Sequence, residues 1–287
     1  MIIKEIDAAL DEGQSLKVIA QAYSEIANLK IRRIRANVER NRIFFDEILK
    51  VYETVKGLAI KKKAVVVKPK KRLCILLTSN LRFYGSINTA LVNYFVGSTR
   101  ELTDVDKVIV GKDGINYFKA TKLLPKYQEI LLKEDMPTNK ELVNLANLSS
   151  QYNQVLVFHS KLKSLLVQIA TFTDVTATSL FKRDPYIKYP QSEEAKSGMR
   201  FIFEPELPKI LSFFDSQILT LLLEQTFLES ELSRTASRFI AMDTAESEAN
   251  KFIKDYQKLK ALAKKSADNN TILENFATMM AVRSKMV

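Results

Sequence analysis

The residues best suited to metal or nucleophilic chemistry are few in this chain and do not form a recognisable set. His159 is the only histidine and Cys74 the only cysteine, whereas metal sites and nucleophile–base pairs both need several partners. His159 follows an apolar run and Cys74 lies within one, which is typical of a structural histidine and of an inert core thiol. We therefore predict no catalytic and no metal-binding residues.

A cluster of carboxylates late in the chain is the other candidate for acid–base catalysis. Asp243, Glu246 and Glu248 lie close together, but a solvated helix face explains them more simply than a paired-carboxylate site. Phosphate binding has no better support, because Gly111 and Gly114 form only the fragment GKDG and a glycine-rich phosphate loop is missing. We predict that the chain is not an enzyme and binds no cofactor.

Two long segments without helix-breaking residues flank the middle of the chain. The 79 residues after Pro208 contain no glycine or proline, and neither does the stretch from Ser15 to Lys56. Continuous helices of these lengths would span about 120 Å and about 60 Å. Such helices cannot bury their apolar faces against a few local neighbours, so we predict a long antiparallel coiled coil of the two ends. An all-helical bundle would share the pattern but needs turns, which these segments lack.

Apolar residues recur in steps of three and four along both segments, as in a coiled-coil seam. The seam predicted for the first segment, with a slip around Leu29, comprises Leu16, Ile19, Tyr23, Ile26, Ile31, Ile34, Val38, Asn41, Phe45, Ile48, Tyr52 and Val55. The seam predicted for the second comprises Phe239, Met242, Ala245, Ala249, Phe252, Tyr256, Leu259 and Ala263. The small residues of the second segment would let a partner helix come close.

The middle of the chain has the pattern of a small α/β domain with a largely parallel sheet. The apolar runs Leu73–Thr78, Lys107–Val110 and Val155–Phe158 are each followed by a loop and a helix-compatible stretch, as buried parallel strands are. We expect a loop at 184–198 and a last strand at 200–203. The predicted divisions are a coiled-coil helix at 1–60, a basic linker at 61–72, the α/β domain at 73–207 and a second coiled-coil helix at 208–287.

The net charge of +11 raises the question of nucleic acid, because basic surfaces bind phosphate. However, the run from Lys61 to Arg72 holds seven basic residues and no acidic one, so more than half of the net charge lies in one linker. We interpret this run as solvated, with an acidic partner or an anionic membrane surface as alternatives. A coiled-coil nucleic-acid-binding protein and a small-molecule enzyme built on the α/β domain are the rival functions.

Membrane insertion and export have no support in the sequence. Apolar stretches such as Ile218 to Leu223 are too short to cross a bilayer. Acidic residues occur in Met1 to Ala9, where a targeting segment would be basic. We expect a cytosolic protein.

Several motifs occur in the order in which one known family carries them. A first-helix signature is matched by Ile19, Ala22, Ile26, Ala27, Lys30, Arg32 and Arg33, with Tyr23 at the place of a methionine. An arginine followed by alanine–methionine–aspartate and alanine is matched by Arg238, Ala241, Met242, Asp243 and Ala245. Val110–Phe118 looks like a second-strand turn, and Phe203–Pro205 like a conserved phenylalanine–glutamate–proline. Over nearly the whole chain, these segments resemble the gamma subunit of F-type ATP synthases.

Two segments depart from that family. After the first strand, Thr78, Ser79, Gly85 and Asn88 match the family loop, whereas Asn80, Leu81, Arg82, Tyr84 and Ser86 differ. Near the end, Lys265, Ser266, Asp268 and Asn269 stand where the family has an asparagine–lysine–x–arginine–glutamine signature, so a basic residue has become acidic. These departures indicate a divergent member, and the alternative to a standard synthase is a specialised F-type-like motor not devoted to ATP synthesis.

The resemblance implies a mechanical role. The chain would be the non-catalytic central rotor inside a hexameric ring of alpha-like and beta-like subunits, with an epsilon-like subunit and a membrane ring, on the cytoplasmic side of the membrane and without nucleic acid. Arg82 would approach an acidic loop of the catalytic subunits, and the apolar tip would turn in a bearing, for which flexible methionines are suited. The implied ring and coil contacts are Ile19, Tyr23, Ile26, Lys30, Arg32, Arg33, Arg82, Arg238, Met242, Asp243, Asp268, Asn269, Ile272, Phe276, Met279 and Met280.

Overall fold

The computed structural model describes residues 3–61, 71–102, 104–176 and 204–284. Their helices and strands are, in chain order, α1 (Ile3–Lys61), β1 (Arg72–Leu77), α2 (Ile87–Thr99), β2 (Val105–Val110), α3 (Lys112–Thr121), β3 (Gln128–Ile130), α4 (Asn139–Ser150), β4 (Gln154–Ser164), β5 (Val167–Asp174) and α5 (Leu207–Ser284). The predicted loop at 184–198, the predicted strand at 200–203 and most of the basic run lie outside the described residues.

The two long terminal helices are confirmed, and α1 also includes residues before Ser15, where the breaker-free stretch begins. α1 starts at Ile3 and continues through Gly13. α5 starts at Leu207, so that Pro208 lies in its first turn, where the missing N–H costs no intrahelical hydrogen bond. None of the described helices carries an apolar stretch long enough to cross a membrane.

The chain divides into two compact units, one formed by residues 1–28 and 239–287 and the other by residues 29–238. In the first unit, α1 and α5 run antiparallel. The Lys260 ammonium lies 2.6 Å from the Asp7 carboxylate, and the Gln21 amide donates to Glu246 at 2.7 Å. As the residue number rises along α1, it therefore falls along α5.

The seam of the first unit lies on a different face of α1 from the predicted one. Its buried positions are spaced by seven residues and are Ile6, Gly13, Ala20 and Ala27. The predicted seam residues Leu16, Ile19, Tyr23 and Ile26 are instead 62, 52, 38 and 56% exposed, so this part of the prediction was wrong. Two helix axes approach most closely where the side chains between them are small, and that condition selects the alanine and glycine face rather than the most apolar one.

The α5 side of this seam agrees with the prediction only in part. Met242 and Ala249 are buried as predicted. Ala245 is exposed and lies outside the seam. Phe252 and Leu259 keep 38 and 44% of their surface, and Phe252, which closely approaches Gly13, lies at the edge of the seam. Gln21 and Glu246 fill a seam layer with a polar pair.

The later part of the α1 seam, in the second unit, is confirmed. Ile31, Ile34, Tyr52 and Val55 are buried, and Phe45 and Ile48 pack against the core. Here the predicted register holds because large apolar side chains occupy every turn of the helix except at Asn41.

The second unit is built on a five-stranded sheet with the strand order β3-β2-β1-β4-β5. β1 pairs parallel with both β2 and β4, β2 pairs parallel with β3, and β5 is antiparallel to β4. The three predicted strands and the largely parallel sheet are confirmed. Sequence analysis missed β3, which has three residues and none buried. It also missed β5, in which polar residues interrupt the apolar ones without a regular alternation, so that no continuous apolar run remains.

Both faces of this sheet are covered, as the apolar β1 sequence requires. Ile75 and Leu77 belong to a core shared with α1, α4 and α5. Cys74 and Leu76 belong to a second core shared with α2 and α3. Successive strand residues point to opposite faces, so β1 alone contributes to both cores.

Candidate functional site

The candidate site is the loop of residues 78–86, which joins β1 to α2 at the carboxyl edge of the sheet. Its first residue is fixed by β2, because both the backbone N–H and the hydroxyl of Thr78 donate to the Val110 carbonyl at 2.8 Å. Gly111 has a φ of 100°, and a Cβ there would lie 2.4 Å from the Thr78 carbonyl oxygen. The fragment GKDG is therefore needed for a close backbone crossing.

Asn80 and Asp135 hold the loop from the sheet side. The Asn80 side-chain amide donates to the carbonyls of Leu132 and Glu134, both at 2.9 Å, and its oxygen accepts from the Lys112 N–H at 2.9 Å. The Asp135 carboxylate accepts the Asn80 backbone N–H at 2.5 Å. An aspartate at this position could not donate to these two carbonyls, so the Asn80 amide group is needed for both hydrogen bonds.

Three α5 side chains hold the loop from the helix side by donating to its backbone carbonyls. Arg234 donates to Thr78 at 3.1 Å, Ser237 to Tyr84 at 2.8 Å and Arg238 to Arg82 at 2.9 Å. These donors are spaced by three and one residues and so lie on one helical face. Because the acceptors are backbone carbonyls, these hydrogen bonds do not depend on which side chains the loop residues carry.

Tyr84 joins the two sides of the loop's support. The Arg238 guanidinium lies 4.2 Å from its ring centroid, and its hydroxyl donates a short hydrogen bond to Asp135. Burial raises the pKa of the Tyr84 hydroxyl well above its ordinary value, and the Glu231 charge and the hydrogen bond to Asp135 act in the same direction. Tyr84 therefore stays neutral and continues to donate at physiological pH.

A buried ionic cluster lies behind the loop. Glu231 has no exposed surface and pairs with the equally buried Arg234 at 3.0 Å and with Lys30 of α1. A buried carboxylate needs such cationic partners to stay charged. Lys30, predicted as a partner contact, therefore lies in an intramolecular ion pair, whereas Arg32 and Arg33 are exposed.

The supported loop presents a small exposed surface. Leu81 and Phe83 keep 51 and 59% of their surface, and Arg82 between them is exposed. Phe83 has a φ of 69°, which non-glycine residues rarely adopt. An arginine flanked by two apolar side chains on a fixed backbone has the character of a protein contact, since arginine and aromatic residues are enriched in interfaces.

The remaining predicted site residues do not converge on this loop. Met242 is buried in the first unit's seam, while Asp243, Asp268, Asn269 and the tip residues are exposed along α5. The exposed tip residues are Ile272, Phe276, Met279 and Met280. Of the three clustered carboxylates, Glu246 accepts from Gln21 and Glu248 pairs with Lys251, and Asp243 is exposed.

His159 and Cys74 lie in the core of the second unit. The His159 ring lies 2.9 Å from the Thr173 hydroxyl, and burial lowers its pKa. Burial raises the pKa of the Cys74 thiol to about 11, which makes it a poor nucleophile. Within the described part of the chain, no group of three or more histidine, cysteine, aspartate or glutamate side chains could hold a metal ion.

An open cleft of about 670 Å³ lies beside β2 and β3 and bears on the rival enzyme function. Two of its polar side chains are already paired within the protein. Lys107 donates to the Thr99 carbonyl at 3.3 Å, and Tyr152 donates to Asp106 at 2.8 Å. Neither side chain is therefore free to bind a substrate, which needs several convergent polar groups.

Sequence analysis missed Asp135, Glu231, Arg234 and Ser237. The available signal was a run of polar residues, Glu231 to Arg238, in a helix segment that is buried on nearly all sides. Polar side chains in such a buried segment usually have partners, as Glu231, Arg234, Ser237 and Arg238 have here.

Known proteins similar to this chain agree with this architecture. A family model described as ATP synthase matches residues 2–274. An ATP synthase gamma chain of Staphylococcus saprophyticus is 23% identical over 266 residues, covering 88% of this chain and 89% of that one. A gamma chain of Staphylococcus aureus is 21% identical over 270 residues, with the same coverage.

Solved structures show the same fold. The rotor of the Euglena gracilis mitochondrial ATP synthase is similar with a TM-score of 0.60 and 15% identity, covering 92% of this chain and 98% of that one. The central stalk and c-ring structure of Tetrahymena thermophila mitochondrial ATP synthase contains a chain with a TM-score of 0.56 and 20% identity, covering 79% of this chain and 99% of that one. Because the family model matches nearly the whole chain and the curated relatives are gamma chains, this protein belongs to the gamma family of ATP synthases.

Proposed function

We propose that this chain is the central rotor subunit of a rotary ATPase, itself non-catalytic, and that the exposed tip of Leu81, Arg82 and Phe83 contacts the surrounding ring. The observation that carries this proposal is the support of the loop of residues 78–86 from both sides. Arg234, Ser237 and Arg238 bind it from α5. A loop that transmits force to a ring subunit must be rigid. Hydrogen bonds to a long helix give the loop this rigidity.

The non-catalytic role is supported by what fills the crevice of the sheet. In doubly wound folds, nucleotides bind beyond the carboxyl ends of the central strands. Here Arg234 donates to the Thr78 carbonyl just after β1, and the Ser160 hydroxyl of β4 lies 3.4 Å from the Ser230 carbonyl. α5 thus occupies the region where a nucleotide would bind in such folds.

The exposed apolar residues of the long helices support a protein partner along their length. Leu16, Ile19 and Ile26 of α1 are more than half exposed, as are the tip residues of α5. We propose that they face a ring of alpha-like and beta-like subunits, with Arg32 and Arg33 adding positive charge. Large exposed apolar surfaces of this kind mark interaction sites.

Two further proposed partners, an epsilon-like subunit and a membrane ring, are supported by the similar structures. The similar structures are a rotor and a central stalk with c-ring, and we propose an epsilon-like subunit and a membrane ring for this chain as well. The complex would lie on the cytoplasmic side of the membrane. We also propose that the functional divisions follow the predicted segments 1–60, 61–72, 73–207 and 208–287.

The test is reconstitution with alpha-like and beta-like chains from the same organism. We expect co-purification of the three chains and ATP hydrolysis by the complex, with no ATP binding by the isolated chain in calorimetry. Tight ATP binding by the isolated chain would contradict the non-catalytic role. Failure to associate with the ring chains would contradict the rotor function.

A further inference from the structure

We infer that Arg238 and Ser237 of α5 are positioning residues that hold Arg82 in its contact orientation, so that the loop of residues 78–86 moves with α5. This inference rests on the proposed function of Arg82. It concerns residues that do not reach a partner themselves, since Arg238 keeps only 7% of its surface. Any effect of Arg238 on a ring must therefore pass through the loop.

Side chains of α5 bind the loop backbone at Arg82 and close to it. The Arg238 guanidinium donates to the carbonyl of Arg82 itself at 2.9 Å and stacks at 4.2 Å from the centroid of the Tyr84 ring. Ser237 donates to the Tyr84 carbonyl at 2.8 Å. The carbonyls of Arg82 and Tyr84, the residues on either side of Phe83, thus accept hydrogen bonds from adjacent residues of α5.

The backbone from Phe83 to Gly85 needs such support. Phe83 has a φ of 69° and Gly85 a φ of 57°, so two of the three residues from Phe83 to Gly85 lie in the left-handed region. A non-glycine residue holds this conformation only where surrounding contacts impose it. Ser237 also leaves little room for a side chain at Gly85, because a Cβ there would lie 3.2 Å from the Ser237 hydroxyl oxygen.

The sheet side alone does not fix Arg82. Asn80 and Asp135 hold the start of the loop and the Tyr84 hydroxyl, but among the described hydrogen bonds the Arg82 carbonyl is bound by α5. Removing the Arg238 donor therefore frees the segment that carries Arg82 while leaving the start of the loop in place.

The experiment compares variants of the assembled complex. Arg238→Gln removes the guanidinium, and Ser237→Ala is a milder change that serves if Arg238→Gln fails to fold. Arg82→Ala removes the presented side chain. Arg100→Gln, an exposed arginine after α2, is the matched control. Each is measured by hydrogen exchange of the loop amides and by ATPase turnover across ionic strengths.

We expect the amides of residues 81–85 to exchange about tenfold faster in Arg238→Gln, and to a lesser degree in Ser237→Ala, because a buried hydrogen bond to the loop is lost. Arg100→Gln should leave them unchanged. Arg238→Gln should also change turnover in the same direction as Arg82→Ala and add nothing further in the Arg82→Ala background. A purely structural role would not produce this non-additivity.

Two outcomes separate the inference from the function on which it rests. In the first, Arg82→Ala changes turnover, but Arg238→Gln has its full effect in the Arg82→Ala background as well, or Arg238→Gln leaves hydrogen exchange of the loop amides unaltered. The positioning role is then wrong, while the Arg82 contact stands. If Arg82→Ala has no effect on turnover or on its salt dependence, the proposed contact itself is wrong.

Discussion

Gly13 of α1 lies directly against the ring of Phe252 of α5, so closely that a Cβ on Gly13 would come within 2.9 Å of the Phe252 Cδ1 atom. The same Cβ would lie 3.2 Å from Ile253. A glycine inside a helix costs about 1 kcal/mol relative to alanine, and here the close approach of the two helices offsets that cost. Gly13 thus sets how closely the helices pack in the first unit.

This contact predicts the effect of enlarging Gly13. Gly13→Leu should lower the free energy of unfolding by about 1–3 kcal/mol, because it overpacks the seam. In a Phe252→Ala background the cost should fall by at least half, since the main obstacle is gone. Urea unfolding followed by circular dichroism measures both values. Equal costs in the two backgrounds would show that Phe252 does not limit the helix spacing.

The corrected seam makes a paired prediction for two alanines of α5. Ala249 is buried and Ala245 is exposed, although the sequence pattern assigns both to the seam. Ala249→Glu should destabilise the protein by about 3 kcal/mol or more, because it buries an unpaired charge. Ala245→Glu, the matched control, should change stability by less than about 0.5 kcal/mol. Similar melting temperatures for both variants would contradict the observed seam.

Tyr84 predicts a loss of stability at alkaline pH. The folded state raises the pKa of this hydroxyl above its ordinary value of 10.0, so the unfolded chain ionises first as the pH rises. The contribution of Tyr84 is therefore fully present below pH 10 and is lost above it, at a rate approaching about 1.4 kcal/mol per pH unit. Tyr84→Phe should reduce this alkaline loss.

The measurement is the unfolding free energy of the wild type and Tyr84→Phe at about pH 9 and about pH 11. At the lower pH, Tyr84→Phe should itself cost about 1–2 kcal/mol, because Asp135 loses a buried hydrogen bond. Tyr94→Phe, at an exposed residue of α2, serves as the control. An alkaline loss that is the same in Tyr84→Phe and the wild type would rule out a role for Tyr84.

The exposed basic residues predict an effect on turnover without one on folding. Replacing Arg82, Arg32 and Arg33 together by alanine should change stability by less than about 1 kcal/mol, since exposed charges contribute little. The complex should still assemble, but its ATPase rate or the salt dependence of that rate should change. Arg82→Ala alone should account for most of the change, because only Arg82 lies on the supported loop.

Turnover of this triple variant that matches the unmodified complex at every ionic strength would make the three arginines a solvated surface. The run from Lys61 to Arg72 would then be the next candidate for the coupling contact. Lys30 is left out of the set because it pairs with Glu231, so that its removal would disturb the buried ionic cluster as well.

The sequence by itself determined the two long helices, three of the five strands in the described part of the chain, and the family. These features depend on local patterns. The long stretches without glycine or proline favour long helices, and the short apolar runs at Leu73, Lys107 and Val155 are typical of buried strands. The α1 seam from Ile31 onward was also predictable, because large apolar side chains recur there in steps of three and four.

Tertiary structure alone decided which face of α1 is buried in the first unit and how the loop of residues 78–86 is held. Leu16, Ile19 and Ile26 form the more apolar stripe, but the close spacing of the two helix axes favours the small residues Gly13, Ala20 and Ala27. That spacing depends on both helices together and cannot be predicted from either one alone. The loop is held through the backbone carbonyls of Thr78, Arg82 and Tyr84. Every residue carries such a carbonyl, so only the folded chain reveals which ones Arg234, Ser237 and Arg238 reach.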